Sequence, residues 1–273
     1  MIPRILPPPA RLAAFGAALL VWTLAAFMPA KALAQNRSGP PAPTEEPWVI
    51  ATGANYAPFV DPALPEGGLL AAIVRAAFAE ATDRPIEVVT TSWGEAWSST
   101  LEQGFAAAFP FAPTTARQEE MTFSAPILPA EIAVFRRADH TDPRMELGRL
   151  KLCLPLGIAP PTPLRSVVEE MKLRIARVAT VEECALKVQR GQADVMLLPR
   201  LVRFGLDADR ALAPLVAGDL PGERRFHHLV VPRYFYRGQV VIQAFNQGLA
   251  RLKESGRLAE ITRTHLGSVL AQR

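Results

Sequence analysis

From Trp48 onward, short apolar runs alternate with helix-period segments in two successive series, and this alternation restricts the fold more than any other feature of the chain. The first series has a strand at Trp48–Ala51, a helix over Gly68–Ala81, a strand at Ile86–Val89, a short helix near Ala96–Glu102 and a strand at Ala106–Phe109. Strands separated by helices predict an α/β fold with mainly parallel sheets. A strand at Glu131–Arg136 follows, and then a polar, irregular stretch, 138–149, marks a boundary.

The second series runs through a strand at Lys151–Leu154, a helix at Leu164–Met171, a strand at Arg174–Val178, a helix at Val181–Arg190 and a strand at Ala193–Leu198. It closes with a strand at His228–Val231, a helix over Gln239–Glu254 and a last helix at Leu258–His265. Val241, Phe245, Leu249 and Leu252 fall on one face of the longer of these two helices. Two independent domains and two lobes sharing chain are equally compatible with this periodicity.

Ahead of the first strand, Arg4 and Arg11 lead into an apolar run, Leu12–Phe27, followed by Met28, Pro29 and the small-residue triplet Ala32-Leu33-Ala34. This pattern predicts a signal peptide over residues 1–34, cleaved after Ala34, for export to the periplasm. The alternative is a membrane anchor, for which the run is shorter than the ~20 residues a spanning helix needs. Residues 35–47, bearing Pro, Ser and Gly without periodicity, are expected to be a flexible leader. Arg4, Arg11 and Lys31 leave with the signal, so only +1 of the formal +4 charge remains. A near-neutral chain gives no reason to expect a nucleic-acid partner.

Export also bears on Cys153 and Cys184, the two cysteines. In an oxidising compartment they can pair, and buried free thiols are the alternative. Neither has a histidine close in sequence, which disfavours a catalytic thiol. Adjacent His227 and His228 point to opposite faces of a strand, so they suit hinge or core positions better than a shared metal site. The chain carries no Gly-x-Ser-x-Gly, no phosphate-binding Gly-rich loop and no His-Glu-x-x-His, and no cofactor or metal is expected.

Several ordered landmarks carry a resemblance. Tyr56-Ala57-Pro58-Phe59 follows the first strand, and Trp93 precedes the short helix. Phe109-Pro110-Phe111-Ala112-Pro113-Thr114-Thr115-Ala116-Arg117 is followed by Thr122-Phe123-Ser124-Ala125-Pro126. Cys153-Leu154-Pro155-Leu156-Gly157, Gly191-Gln192-Ala193-Asp194 and Phe245-Asn246-Gln247-Gly248-Leu249 come later. Together they resemble the amino-acid-binding type of bacterial extracellular solute-binding proteins, over about Trp48 to Leu266.

The resemblance implies a two-lobe clamp of the type II periplasmic-binding-protein kind with two hinge crossings. Lobe I would span 48–136 and return over 229–273, lobe II would span 137–228, and the crossings would fall near Val134–Arg137 and Phe226–Leu229. It also implies a monomeric receptor that captures a small carboxylate or amino-acid-like solute and delivers it to an ABC-type permease complex of the inner membrane.

In this resemblance Arg117 grips a carboxylate, as a planar fork of donors is suited to do. Thr114 caps a helix whose first N–H groups face the same anion. Tyr56, Trp93 and Phe111 form walls. Departures are as informative: amino-acid-binding relatives place acidic residues where this chain has Gly53 and Pro199, and hydroxyls where it has Ala112, Ile158 and Ala159 beside Gly157. An ammonium buried without a carboxylate would cost several kcal/mol. The expected ligand is therefore a carboxylate with no obligatory α-ammonium.

Two alternatives remain open. The same fold serves cyclohexadienyl dehydratases, which need an acid in the cleft, with Glu95 and Glu131 as the candidates. A sensory or accessory binding protein without transport is the other.

Overall fold

The computed structural model describes residues 45–140, 150–156, 158, 160, 174–204 and 212–271. The expected signal peptide, the helix at Leu164–Met171, Gly157 and Ala159 lie outside them.

Among the described residues, ten strands form two five-stranded sheets. The first contains β1 (Trp48–Gly53), β2 (Ile86–Thr91), β3 (Ala107–Phe111), β4 (Met121–Phe123) and β10 (His228–Pro232), in the order β2-β1-β3-β10-β4. The second contains β5 (Pro129–Arg137), β6 (Lys151–Pro155), β7 (Arg174–Val178), β8 (Val195–Pro199) and β9 (Leu215–Phe226), in the order β7-β6-β8-β5-β9.

Within each series the strands separated by helices pair in parallel, β1 with β2 and β3, and β6 with β7 and β8. The expectation of mainly parallel sheets is nevertheless corrected, because β10 runs antiparallel to β3 and β4, and β5 runs antiparallel to β8 and β9. These antiparallel strands flank the places where the chain passes between sheets, and each enters its sheet against the direction of the strands already there.

The first crossing also differs from expectation. Strand β5 pairs with β8 and β9, so the chain leaves the first sheet at Ser124–Leu128, before β5, and not at Val134–Arg137. The apolar run Ile132–Phe135 marks a buried strand, but hydrophobicity cannot report which sheet it joins. His227 alone separates β9 from β10 and makes the second crossing.

The crossing segments are tied to each other. The N–H of Ile127 donates to the carbonyl of His227 at 2.9 Å, and the N–H of His227 donates to that of Leu128 at 3.0 Å. Ser124 Oγ accepts from the N–H of Leu229 at 3.0 Å, and the Asn246 side chain accepts from the N–H of Ala125 at 2.8 Å. Backbone polar groups of the first crossing are thus satisfied by His227 of the second crossing, by Leu229 of β10 and by the Asn246 side chain.

Helices α1 (Leu69–Ala81), α2 (Trp93–Leu101) and α3 (Thr115–Glu120) belong to the first series, and α4 (Val181–Gln189) to the second. Helices α5 (Tyr236–Glu254) and α6 (Arg257–Ala271) follow β10. α1 buries Leu70, Ile73, Val74, Ala77 and Phe78, and α5 buries Val241, Phe245, Leu249 and Leu252. The stripes meet, with Phe78 and Phe245 ring centroids 5.5 Å apart. Only glycine permits this approach at position 248, where a Cβ would lie 1.7 Å from the Ala77 carbonyl oxygen.

In the second lobe Cys153 of β6 and Cys184 of α4 form a disulfide with Cα atoms 5.6 Å apart. It fastens the helix to the sheet across the core that holds Met196 and Leu198.

Candidate functional site

A cavity of about 80 Å³ lies between the two sheets. Five parallel-paired strands run toward it: β1 ends just before Ala54 and Asn55, β3 ends in Phe111, β6 and β8 end in Pro155 and Pro199, and β7 ends just before Ala179. Carboxyl ends of strands in α/β sheets are where side chains and loop backbones converge without interrupting a ladder.

Three of the expected wall residues touch one another. The Trp93 ring stands edge-on to Tyr56 and to Phe111, each at 5.9 Å between centroids. Its Nε1 donates to the Ala54 carbonyl at 3.1 Å, which fixes the indole at the start of α2. Gly53 explains how the ring fits: a Cβ there would sit 2.1 Å from Trp93 Cδ2. The position that carries an acidic side chain in amino-acid-binding relatives is thus roofed by an indole. The other departure, Pro199, stands in the cavity wall itself.

Arg117 lines the cavity from α3. Its guanidinium lies over Phe111 at 5.3 Å and over Trp97 at 5.5 Å, and donates to the Ala112 carbonyl at 3.1 Å. Aromatic faces and a carbonyl hold the fork while its charge stays positive. Ala112 and Ile158 also line the cavity. Thr114 does not; its hydroxyl accepts from the N–H of Arg117 at 3.2 Å, so it orders the loop behind the arginine. Thr114 is thus the N-cap of α3 that the sequence leads one to expect, while Thr115 and Ala116, which carry the first N–H groups of the helix, are not among the residues lining the cavity.

Arg225, which the sequence does not single out, and His227, expected at a hinge or core position, also line the cavity. Arg225 enters from β9 and donates to the Pro160 carbonyl. His227 lines the cavity from the second crossing. Its Nε2 lies 2.9 Å from the Tyr56 hydroxyl, and its ring packs on Phe59 at 4.6 Å. Burial pushes the imidazole down to about 3, with the neighbouring His228 acting the same way, so it is neutral at ordinary pH. Burial likewise raises the Tyr56 phenol, and the Arg225 charge opposes that rise. The Tyr56–His227 pair is therefore a neutral hydrogen-bonding unit within reach of Arg225's field. Behind the wall, Arg177 donates to the carbonyls of Pro155 and Ile158 and braces the loop that carries Leu156.

Among the described residues the lining contains two arginines and no Asp or Glu. Glu95 and Glu131, the carboxylates considered for dehydration chemistry, are both outside it. Glu95 instead accepts from the Thr91 hydroxyl. Among the described residues no cluster of three His, Cys, Asp or Glu is arranged to hold a metal. Nor is any helix among them long and apolar enough to cross a membrane.

The chain resembles solved structures along almost its whole described length. A histidine kinase sensor domain with similarity to periplasmic binding proteins superposes with a TM-score of 0.69 at 18% identity, over 82% of this chain and 97% of the other. The arginine-, lysine- and histidine-binding protein ArtJ of Geobacillus stearothermophilus gives 0.68 at 15%, over 81% and 96%. An ancestral amino-acid-binding protein, a precursor of cyclohexadienyl dehydratase, gives 0.62 at 20%, over 79% and 93%. No curated protein matches the chain significantly in sequence. At these identities the likeness fixes the fold, which is that of a type II periplasmic binding protein. The model of bacterial extracellular solute-binding proteins, family 3, matches residues 48–268, and the chain belongs to that family.

Proposed function

We propose that the protein is an exported, monomeric receptor that holds a small carboxylate in the cavity between its lobes and presents it to a membrane permease complex. The supporting observation is the charge of the lining, which has two arginines and, among the described residues, no carboxylate. Arg117 is the grip, and Tyr56, Trp93, Phe111, Ala112, Ile158 and Pro199 shape the space around the ligand. Thr114 supports Arg117 from behind. Gly53 and Pro199 supply no acidic partner, so an α-amino group would lose its hydration here without a carboxylate from either position. Family membership supports the transport reading and an extracytoplasmic location, to which the signal peptide expected at residues 1–34 would direct the chain.

Thermal shift and calorimetry with butyrate, benzoate and the common α-amino acids test this reading. A carboxylate at a hundred times its Kd should add about 2.7 kcal/mol of stability, and Arg117→Ala should abolish most of that gain. Tight binding of an α-amino acid with no response to simple carboxylates would overturn the reading. For the dehydratase alternative, incubation with prephenate should produce phenylpyruvate no faster than the blank. Faster production would require an acid other than Glu95 or Glu131.

A further inference from the structure

The two sides of the cavity differ in chemistry. Asn55, Tyr56, Trp93 and Arg117 reach it from the loop after β1 and from α2 and α3, all attached to the first sheet. The second sheet and its connections contribute Ile132, Leu156, Ile158, Val181, Pro199 and Phe226. Arg225, which donates to the Pro160 carbonyl, is the one charged side chain on that side among the described residues.

The main chain of the second side repeats the pattern. Ligands settle at the carboxyl ends of strands, where N–H groups would be the natural partners of a polar substituent. Proline has none, and Pro155 and Pro199 end β6 and β8 in the cavity wall. Neighbouring N–H groups are already committed: Leu156 donates to the Val178 carbonyl at 2.8 Å, Ile158 to that of Pro155 at 3.2 Å, and Ala179 to the Glu183 carboxylate at 2.9 Å. Hydrocarbon on this side also faces water, since Leu156 is 54% and Phe226 36% exposed although both line the cavity. Covering such surface is favourable when the covering group is apolar, whereas a charged group laid against it loses hydration.

We infer that the ligand is an amphipathic monocarboxylate, with its acid group at Arg117 and an apolar body, aliphatic or aromatic, against Leu156, Ile158, Val181 and Phe226. This rests on the carboxylate reading above and narrows it: one side of the cavity holds the charge and the other selects for hydrocarbon.

Calorimetry on the purified protein with butyrate, hexanoate, adipate and hexanol tests it. Affinity should rise about fourfold for each methylene buried, so hexanoate should bind about tenfold or more tightly than butyrate, with a more negative heat-capacity change. Adipate, which carries a second carboxylate in place of the hexanoate methyl, should bind about tenfold more weakly than hexanoate. Leu156→Asn, at an exposed position, should cut the hexanoate-to-butyrate ratio by about threefold or more. Val181→Thr, which keeps the shape of the side chain, should act in the same direction. Butyrate and hexanoate bound alike, adipate bound as tightly as hexanoate, or a ratio unchanged in both variants sinks the apolar body and leaves the carboxylate receptor standing. Hexanol bound as tightly as hexanoate, or no acid bound at all, sinks both.

Discussion

A single methyl group at Gly53 should unfold the protein more readily than almost any other conservative change near the cavity. The Cβ of Gly53→Ala would lie 2.1, 2.2 and 2.6 Å from Cδ2, Cε2 and Cε3 of Trp93, all atoms of one rigid ring. The indole must move as a unit. Its departure breaks the 3.1 Å bond from Nε1 to the Ala54 carbonyl, worth about 1 kcal/mol, and loosens edge-to-face contacts with Tyr56 and Phe111, worth about 0.5–1.5 kcal/mol each. Partial relaxation keeps the total near the overpacking range, about 2–3 kcal/mol. For a folded unit of this size that is a Tm drop of about 5–10 °C.

Urea unfolding followed by circular dichroism measures it, with an unchanged slope required for a two-state reading. A double-mutant cycle isolates the cause. In a Trp93→Ala background the methyl group meets no ring, and Gly53→Ala should cost less than about 0.5 kcal/mol. An equal cost of Gly53→Ala in both backgrounds would refute the proposal that the indole fills the space an acidic side chain would need.

The disulfide and the buried imidazole give two more predictions. Replacing Cys153 and Cys184 by alanine opens a loop of 31 residues, and the chain-entropy relation gives a loss of about 3.7 kcal/mol, readable as a lower urea midpoint; a midpoint unchanged by reduction would contradict it. His227 stays neutral in the fold down to about pH 3, whereas the unfolded chain takes up its proton near pH 6.5. Stability present above pH 6.5 is therefore lost as pH falls toward 3, at about 1.4 kcal/mol per pH unit, and His228, whose pKa burial also lowers, acts in the same direction. Melting curves from pH 7 to 4 should show a slope shallower by about one proton in His227→Gln, and parallel slopes would exclude the imidazole as the cause.

The alternating series predicted the order of most strands and helices because each buries a face its own residues announce. β1, α1, β2 and α5 all sit where apolar spacing places them, within a turn or two. The failures share a cause. Strand β3 continues through Pro110 to Phe111 although proline donates no ladder bond; β10 shifts register between His228 and Val230, opposite that proline, and so tolerates it. Strand β9, twelve residues long, carries Gly218, Pro221 and Gly222 and reads as a loop. It lies at the edge of the second sheet, paired through β5 alone, and an edge strand accommodates such residues.

Missing β9 had a chemical consequence. Arg117 could be located from its own neighbourhood, since Thr114, Phe111 and the following Phe-Ser-Ala-Pro run form a local pattern. Arg225 has no such pattern. Its place in the cavity depends on β9 pairing with β5, in which Arg225 stands opposite Ala130, and on the crossing at His227 immediately after it. The Tyr56–His227 bond likewise joins residues 171 positions apart. A cavity between two sheets is assembled from the far side by contacts of this range, so a sequence reveals the half built on one loop and conceals the half that only folding brings to it.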